Sequence, residues 1–474
     1  MKTKIYISFT LAILMLVAGC KEMIETNPTE QLDASKALNT KTNIEAATYG
    51  TYAVLRDATL YGRDLVAFAD ALADNTLHTN VSSSLTGVYN NTTGSHFNNW
   101  PVAFDGVNRA NLALEAIEKF NGTQTWKDNL AGQLHFLRAL LYFDMAKVYG
   151  YDPTYIVGSA DRGTVPLQTK GVTAVSQMEI KPRASITEMY NFIYKELDSA
   201  YAKLKRVGGG GTNPHRVTLN AVNALYARVA LHKGDYSTVI DRATEAINGN
   251  IGILTNANNF LNGWRAETHP ESIFEIKINV NENVGANNSL RATYTTRAFL
   301  DSQEPSTHGV LAVGDELYAL YQNNDVRKGL IIKGLGNNIN RNEMTKFISK
   351  GGVKDLDNIP VLRMAEMYLD RAEAYYQLTP ARQDLALLDL NKILVSRGLP
   401  EVNLSNSALY EEILKQRRLE FAFEGYRWFD LKRLGRNIVK NGTTLSASNF
   451  KLLARVPLAE VNSSNRIVQQ NRSY

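Results

Sequence analysis

The sequence predicts a mainly α-helical fold, a scaffold of helix pairs with a loop-rich, irregular region on one side. From about residue 41 onwards, apolar residues recur mostly with the helical period. Residues 251–354 depart from this period. They are rich in asparagine and glycine, and their apolar stretches are short, as at 273–276, which is typical of loops and a few short strands.

Helices in the first half of the chain are predicted wherever an apolar stripe is continuous. They cover 43–55, 103–120, 130–149, 185–204, 218–232 and 236–247. Ser185 stands where it can cap the helix that follows it. The pair 218–232 and 236–247 carries small residues at Ala221, Ala224, Ala227 and Ala230, which permit close approach. This pair resembles a tetratricopeptide unit, although no strict period of about 34 residues runs through the chain.

Three segments between these helices lack a helical stripe. Residues 79–99 are rich in Ser, Thr, Asn and Gly and are predicted to form a loop, and residues 150–183 are irregular. The four glycines 208–211 are not followed by Gly-Lys-Ser/Thr, so they form a flexible connector and not a phosphate loop. Helices return at 360–378, 382–397 and 408–425.

Composition excludes several classes of function. The 52 basic and 47 acidic residues leave a formal net charge of +5 without a long basic run, which argues against dedicated nucleic-acid binding. The single cysteine, Cys20, excludes an internal disulfide and a cysteine-based metal cluster. The seven histidines form no zinc-binding motif, and we expect no metal ion and no cofactor.

The N-terminus has the pattern of an export signal. Lys2 and Lys4 precede an apolar stretch of about 13 residues, which is too short to span a bilayer but suits a signal peptide. The small residues before Cys20 resemble a bacterial lipobox. We therefore predict a signal peptide at 1–19, lipid attachment at Cys20 and a tether at 20–40, which leaves a mature chain of 474 − 19 = 455 residues.

One charged cluster invites a catalytic interpretation. Its members are Arg417, Arg418, Glu420, Glu424, Arg427 and Asp430, with Phe421, Phe423, Trp428 and Phe429 around them. Glu420 and Glu424 lie four residues apart, and a lipid-anchored glycosidase would use such a pair as acid and base. Each carboxylate also has an arginine within one helical turn, which favours ionisation, so a structural ion ladder is preferred and no catalytic residue is assigned.

Three ordered stretches near the end of the chain resemble a known family. They are residues 360–374 (PVLRMAEMYLDRAEA), residues 417–433 (RRLEFAFEGYRWFDLKR), and the ending Pro457-Leu458-Ala459-Glu460 followed by Gln469-Gln470-Asn471. Together with the lipobox, these residues resemble the SusD/RagB family of Bacteroidetes outer-membrane lipoproteins. Trp100, Phe104 and Asn111 agree with an earlier pattern of the family, in which Trp100 begins a helix and packs in the core.

The resemblance implies a SusD-like fold, with an N-terminal helical region at 41–250 and a C-terminal region at 251–474 that is loop-rich at 251–354 and helical at 360–435. It also implies a cell-surface lipoprotein that binds an oligomeric nutrient and delivers it to a SusC-like TonB-dependent transporter. A glycan is the expected ligand, and a peptide, as in the RagB branch, is the alternative. Lys21-Glu22 is similar to a surface-export signal of such lipoproteins, although Met23 interrupts it.

A glycan-binding surface needs aromatic rings for the apolar faces of sugars and amide or charged groups for their hydroxyls. The family resemblance places ligand contacts on loops in two regions of the chain. The candidates are Tyr89, Asn90, Asn91, His96, Phe97 and Asn98 in the first region, and Trp264, Arg265 and Tyr294 in the second. For each aromatic residue the alternative is packing beneath its own loop.

Overall fold

The computed structural model describes residues 37–286, 288–378 and 382–474, and α-helices dominate its architecture. In chain order the helices are α1 (Lys41–Val54), α2 (Asp64–Leu72), α3 (Thr86–Tyr89), α4 (Trp100–Lys119), α5 (Gln124–Tyr149), α6 (Ile186–Arg206), α7 (Leu219–Lys233), α8 (Tyr236–Ile247), α9 (Ala257–Gly263), α10 (Leu290–Tyr294), α11 (Asp315–Leu320), α12 (Met364–Leu378), α13 (Gln383–Ser396), α14 (Asn406–Glu420), α15 (Arg427–Arg433) and α16 (Leu458–Ser463). The mainly α-helical prediction is therefore confirmed.

The long helices begin and end close to the predicted positions because their termini carry capping residues. Ser185 accepts a hydrogen bond from the backbone N–H of Glu188 at 3.2 Å, and Glu188 accepts one from the N–H of Ser185 at 2.9 Å, which completes a capping box. Thr218 caps α7 through the N–H of Ala221, as the sequence places it. Gly234 ends α7 in the left-handed conformation that glycine adopts without strain.

The helices pack in neighbouring pairs. Helix α5 packs on α6, α7 on α8, α8 on α12 and α12 on α13, while α1 lies against α4. The alanines of α7 are fully buried, and so are Ala243 and Ala246 of α8, which allows the two helices to approach closely. Helix α5 is buried on nearly all sides from Leu130 to Tyr149, so it forms the centre of the main hydrophobic core.

The short strands form antiparallel pairs, some local and some between distant parts of the chain. They are β1 (Thr76–His78), β2 (Ser272–Ile276), β3 (Leu311–Val313), β4 (Ile331–Lys333), β5 (Asn342–Met344), β6 (Ile359–Arg363), β7 (Ile438–Lys440) and β8 (Thr443–Leu445). Strand β1 pairs with β3, β2 with β6, β4 with β5 and β7 with β8. The pairing of β1 with β3 joins two segments that are more than two hundred residues apart.

Helix α5 begins at Gln124 and not at the predicted residue 130, and two further predicted helices differ from the structure. Residues 359–363 form β6 and not the first turn of a helix, because this β-branched, proline-containing run pairs with β2 and α12 begins only at Met364. The helix predicted at 408–425 ends at Glu420, and the chain then turns sharply with Phe423 and Gly425 at positive φ. Glu420 and Glu424 therefore do not share a helix.

The predictions for the N-terminus fall mainly on residues outside the described part of the chain. The signal peptide at 1–19 and the lipid attachment at Cys20 therefore remain predictions. Among the described residues, no helix combines the length and the apolar character needed to cross a bilayer.

Candidate ligand-binding site

The pairing of β1 with β3 places the start of the predicted loop 79–99 beside residues 310–313 of the loop-rich region. Thr76 lies opposite Val313 and His78 opposite Leu311, and the N–H of Thr79 donates to the carbonyl of Val310 at 3.0 Å. The segments that leave this ribbon enclose a cavity of about 570 Å³. We call it the loop cavity; its walls come from residues 81–85, 292–310 and 335–338.

The loop cavity has a lining of hydroxyl and amide side chains between small aliphatic surfaces. The polar residues are Arg63, Ser82, Ser84, Thr293, Thr296, Ser306, Thr307, His308, Asn337 and Asn338, and the apolar ones include Val81, Leu85, Ala292, Pro305, Val310 and Leu335. Such a mixture can offer donors and acceptors to a polyhydroxylated ligand while its aliphatic groups contact the apolar face of a ring.

The first wall is held in place by His78. Its Nδ1 lies 3.1 Å from the backbone nitrogen and 3.0 Å from the side-chain oxygen of Asn80, and its Nε2 lies 2.8 Å from the carbonyl oxygen of Ser84. The next residue, Leu85, has the left-handed backbone conformation at φ 60°, which costs a leucine about 1–3 kcal/mol. The loop thus maintains a strained residue at the edge of the cavity.

The second wall is organised around a buried carboxylate. Glu343 accepts hydrogen bonds from the hydroxyls of Thr295 and Thr296 at 2.8 and 2.9 Å, and Asn338 donates to its other oxygen at 3.1 Å. Burial raises the pKa of the Glu343 carboxyl, against the opposing effect of these donors. Asn338 also donates to the carbonyl of His308 at 2.8 Å, which fixes the 305–310 loop.

Two polar atoms at this wall have no protein partner within the described residues. They are the hydroxyl oxygen of Ser306 and the side-chain oxygen of Asn338, both buried. Buried polar atoms in folded proteins are almost always hydrogen-bonded to protein or water. Both residues belong to the lining of the loop cavity, so these two oxygens lie close to it.

The structure overturns the prediction that four of the loop aromatics serve as sugar-stacking surfaces. Tyr89, Phe97, Trp264 and Tyr294 are all buried. Phe97 stacks on Phe429 with ring centres 5.6 Å apart, and the other three rings are enclosed in the same core. A ring without an exposed face cannot stack on a sugar, so the alternative of packing beneath the loop holds for these four residues.

The remaining predicted contacts divide into two groups. Asn90 and Asn98 are exposed, while Asn91 donates to the carbonyl of Leu72 at 3.2 Å and Arg265 donates to Thr345. His96 contacts the carbonyl of Lys451 through Nε2 at 3.2 Å, and burial lowers its pKa to about 3, so it is neutral. None of the nine predicted ligand-binding residues lines the loop cavity.

The residues that do line the cavity were missed because they are small. Their signal in the sequence is a density of hydroxyl side chains at Ser82-Ser83-Ser84 and Ser306-Thr307, next to the loops that were selected. Serine and threonine runs are common in ordinary loops, so this signal becomes informative only when the fold shows that the runs face one cavity.

Glu420 and Glu424 belong to a buried ionic network that leaves no room for a substrate. Arg397 donates to both carboxylate oxygens of Glu420 at 2.8 Å, and Arg363 joins Glu420 and Glu424 at 3.1 and 2.7 Å. Burial would raise the pKa of the Glu420 carboxyl, but Arg397, Arg363 and Arg327 outweigh it and hold the pKa well below its usual range. A glycosidase acid requires the opposite shift.

The arginines of this cluster pair mainly with carboxylates on other elements, and not with the glutamates one turn away. Arg427 pairs with Asp74 at 2.7 Å and not with Glu424 or Asp430. Arg417 pairs with Asp370 and with Asp430 at 3.2 Å, and not with Glu420. These ion pairs therefore connect different elements of the fold and do not run along one helix. Among the described residues, no group of three His, Cys, Asp or Glu side chains is placed to hold a metal ion.

The architecture is that of an α-helical scaffold of tetratricopeptide-like pairs whose loop-rich side carries a polar cavity. The chain belongs to the SusD/RagB family. The model of the SusD family matches residues 333–472, and the model described as "Starch-binding associating with outer membrane" matches residues 23–231. The second description associates its members with the outer membrane.

Two proteins of Formosa agariphila are similar to the chain over almost its whole length. SusD-like protein P38 is 25% identical over 91% of this chain and 92% of its own, and SusD-like protein P2 is 22% identical over 99% and 100%.

Solved structures share the fold. A SusD superfamily protein from Bacteroides thetaiotaomicron has a TM-score of 0.79 at 21% identity, covering 91% of this chain and 99% of that one. A laminarin-binding SusD-like protein has a TM-score of 0.72 at 21% identity, covering 92% and 100%.

Proposed function

We propose that this protein is a lipid-anchored cell-surface protein that binds an oligosaccharide in the loop cavity and delivers it to a SusC-like TonB-dependent transporter. The observation that carries the proposal is the loop cavity itself. It is large enough for sugar residues and is lined by hydroxyl and amide groups that can exchange hydrogen bonds with sugar hydroxyls.

The relatives support a carbohydrate as the ligand. One family description names starch binding, and one structure of the same fold is a laminarin-binding protein. Delivery to a transporter and lipid attachment at Cys20 rest on the family resemblance and on the lipobox pattern. The tether would hold the cavity near the outer membrane, on its extracellular side.

The protein is proposed to bind without chemical turnover. The carboxylates of Glu420 and Glu424, the candidate catalytic pair, are almost fully buried and each is paired with arginine or lysine. A sugar ring cannot reach them in this conformation. Turnover of a glycan panel by the purified protein would contradict this part of the proposal.

Filling the loop cavity should abolish glycan binding. We expect Ser306→Trp to weaken binding of the recognised glycan at least about tenfold, because the indole ring occupies the space that the ligand needs. Binding is measured by calorimetry against a panel that includes starch and laminarin oligosaccharides. Ser407→Trp is the matched control, since Ser407 is exposed on the first turn of α14, outside the cavity.

The outcome separates the alternatives. Unchanged affinity of the Ser306→Trp protein would show that the loop cavity is not the binding site. Binding of a peptide library in place of every glycan would favour the RagB-like peptide binder.

A further inference from the structure

A second pocket lies between α1, strand β2 and the connector that follows the four glycines. Its volume is about 340 Å³, and its lining includes Tyr49, Tyr52, His215, Arg216 and Lys277. We call it the Arg216 pocket. It shares no lining residue with the loop cavity.

The central feature of this pocket is a stacked arginine. The guanidinium carbon of Arg216 lies 3.9 Å from the ring centre of Tyr49 and 5.4 Å from that of Tyr52. Over the ranges that the structure covers, no carboxylate pairs with this guanidinium and no acceptor receives its N–H groups. Tyr49 is 43% exposed, so the stacked pair stands at the solvent edge of the pocket.

The stack is held in place from both sides. The Tyr52 hydroxyl donates to Gln133 at 2.6 Å and accepts the N–H of Val217 at 2.9 Å, so the chain next to Arg216 is fixed to α1. His215 contacts the carbonyl of Glu275 at 3.2 Å and the hydroxyl of Thr268 at 3.1 Å. The guanidinium is therefore preorganised before any ligand arrives.

The four-glycine run explains how the connector reaches this position. Gly208, Gly209, Gly210 and Gly211 all have positive φ, between 77° and 92°, a succession that residues with a side chain rarely adopt. The run was predicted as a flexible connector. In the structure it has a defined path that leads the chain from the end of α6 to Arg216.

The charges around the pocket leave Arg216 without a counter-ion. Arg56 is neutralised by Glu282 at 2.7 Å, and Glu282 also caps the turn at Asn279. The Glu275 carboxylate accepts the N–H of His269 at 3.0 Å. Lys277 has only a distant partner, Glu267 at 3.7 Å. Among the described residues, the lining has three cations, Arg56, Arg216 and Lys277, and two carboxylates, Glu275 and Glu282. Glu282 pairs with Arg56, whereas Glu275 accepts hydrogen bonds, within the described part of the chain, only from a backbone N–H and the Ser272 hydroxyl.

We propose that the Arg216 pocket binds an acidic sugar residue, through a carboxylate or a sulfate ester, so that the transported glycan is anionic. A planar guanidinium offers two parallel N–H groups to such an oxyanion, and stacking on tyrosine leaves that edge available. Tyr49 presents an exposed aromatic surface to the sugar ring. This inference rests on the proposed function, because it assigns a class of glycan to the same protein.

The test compares three glycans of different charge by calorimetry. The probes are oligogalacturonate, which carries carboxylates, iota-carrageenan oligosaccharides, which carry sulfate esters, and neutral laminarin oligosaccharides. We expect one anionic probe to bind and Arg216→Gln to weaken it about tenfold or more, as for a lost charge-assisted hydrogen bond. Arg216→Lys, which keeps the charge without the planar fork, should give an intermediate loss. Arg162→Gln, at an exposed arginine elsewhere, is the control and should bind as the unmodified protein does.

Each outcome decides the inference. Absence of binding to both anionic probes, or equal binding by the Arg216→Gln and unmodified proteins, would overturn it. If the Arg216 inference fails, the protein can still bind a neutral glycan. Loss of that binding in the Ser306→Trp protein would then support the loop cavity as the binding site. Conversely, an anionic glycan can lose affinity for the Arg216→Gln protein but not for the Ser306→Trp protein. That result would support the Arg216 pocket as the binding site and contradict the loop cavity.

Discussion

Replacing Arg397 with methionine is expected to lower the free energy of unfolding by about 3–5 kcal/mol, the usual cost of removing one partner from a buried ion pair. Arg397 is fully buried and donates to Glu420 at 2.8 Å and to Glu271 at 2.9 Å. The methionine side chain fills most of the space that the arginine occupied. The carboxylates of Glu420 and Glu271 each lose one positively charged partner in an interior that water hardly reaches. Urea unfolding followed by circular dichroism measures the loss.

Arg436→Met is the matched control for this substitution. Arg436 pairs with Glu411 at 2.5 Å, but the two side chains are 39% and 58% exposed. Surface pairs of this kind contribute roughly 0–1 kcal/mol, because water and salt screen them. Equal losses in the two variants would contradict the central role that we assign to the buried network.

The second large effect is expected at Asp152, which joins three elements from a fully buried position. It accepts from Nδ1 of His232 at 2.7 Å and pairs with Lys432 at 3.2 Å, and Lys432 also donates to the carbonyl of Gly150 at 2.7 Å. Asp152→Asn leaves the Lys432 ammonium buried without a counter-ion. We expect a loss of about 3 kcal/mol at pH 7.

The stability that Asp152 contributes should depend on pH, and its direction of change follows from the pKa of the carboxyl. Burial alone would raise the pKa of Asp152, but Lys432 and His232 outweigh it and lower the pKa from 3.8 to about 2. The ionised carboxylate therefore stabilises the fold fully above about pH 4, and this stabilisation is lost as the pH falls towards 2. The difference in the free energy of unfolding between the unmodified and Asp152→Asn proteins should therefore become smaller as the pH falls through that range.

Asp105→Asn provides the comparison for the pH series. Asp105 pairs with Arg109 at 2.8 Å on the surface of α4, where both side chains are about half exposed. We expect the difference in the free energy of unfolding between the unmodified and Asp105→Asn proteins to change little with pH. A stability difference for Asp152→Asn that stays constant from pH 7 to pH 3 would rule out the ionised carboxylate as its source.

The scaffold could be predicted from local sequence because its signals are local. A capping serine, a stripe of apolar residues and a glycine after the last turn identify α6 and α7 without knowledge of the rest of the chain. Strand β6 could not be found in this way. Its apolar run continues directly into α12, and only its pairing with the distant β2 makes it extended.

The candidate site could not be predicted because burial of a loop residue depends on which distant segments pack against it. Trp264 illustrates this. Its loop position favoured a binding surface, but Lys346 and Arg363, some eighty to one hundred residues later in the chain, lie 4.9 and 5.2 Å from its ring. The family resemblance indicated only regions of the chain, since it carries positional information. The contacting side chains depend on non-local packing.

The β1–β3 ribbon joins two walls of the loop cavity that the family models cover differently. Neither family model matches residues 232–332, and this segment supplies the cavity wall from Ala292 to Val310. The wall facing it, residues 81–85, comes from the matched N-terminal region. The loop cavity therefore combines a wall from the matched N-terminal region with a wall from the segment between the two matches, and the β1–β3 ribbon fastens the two walls to each other.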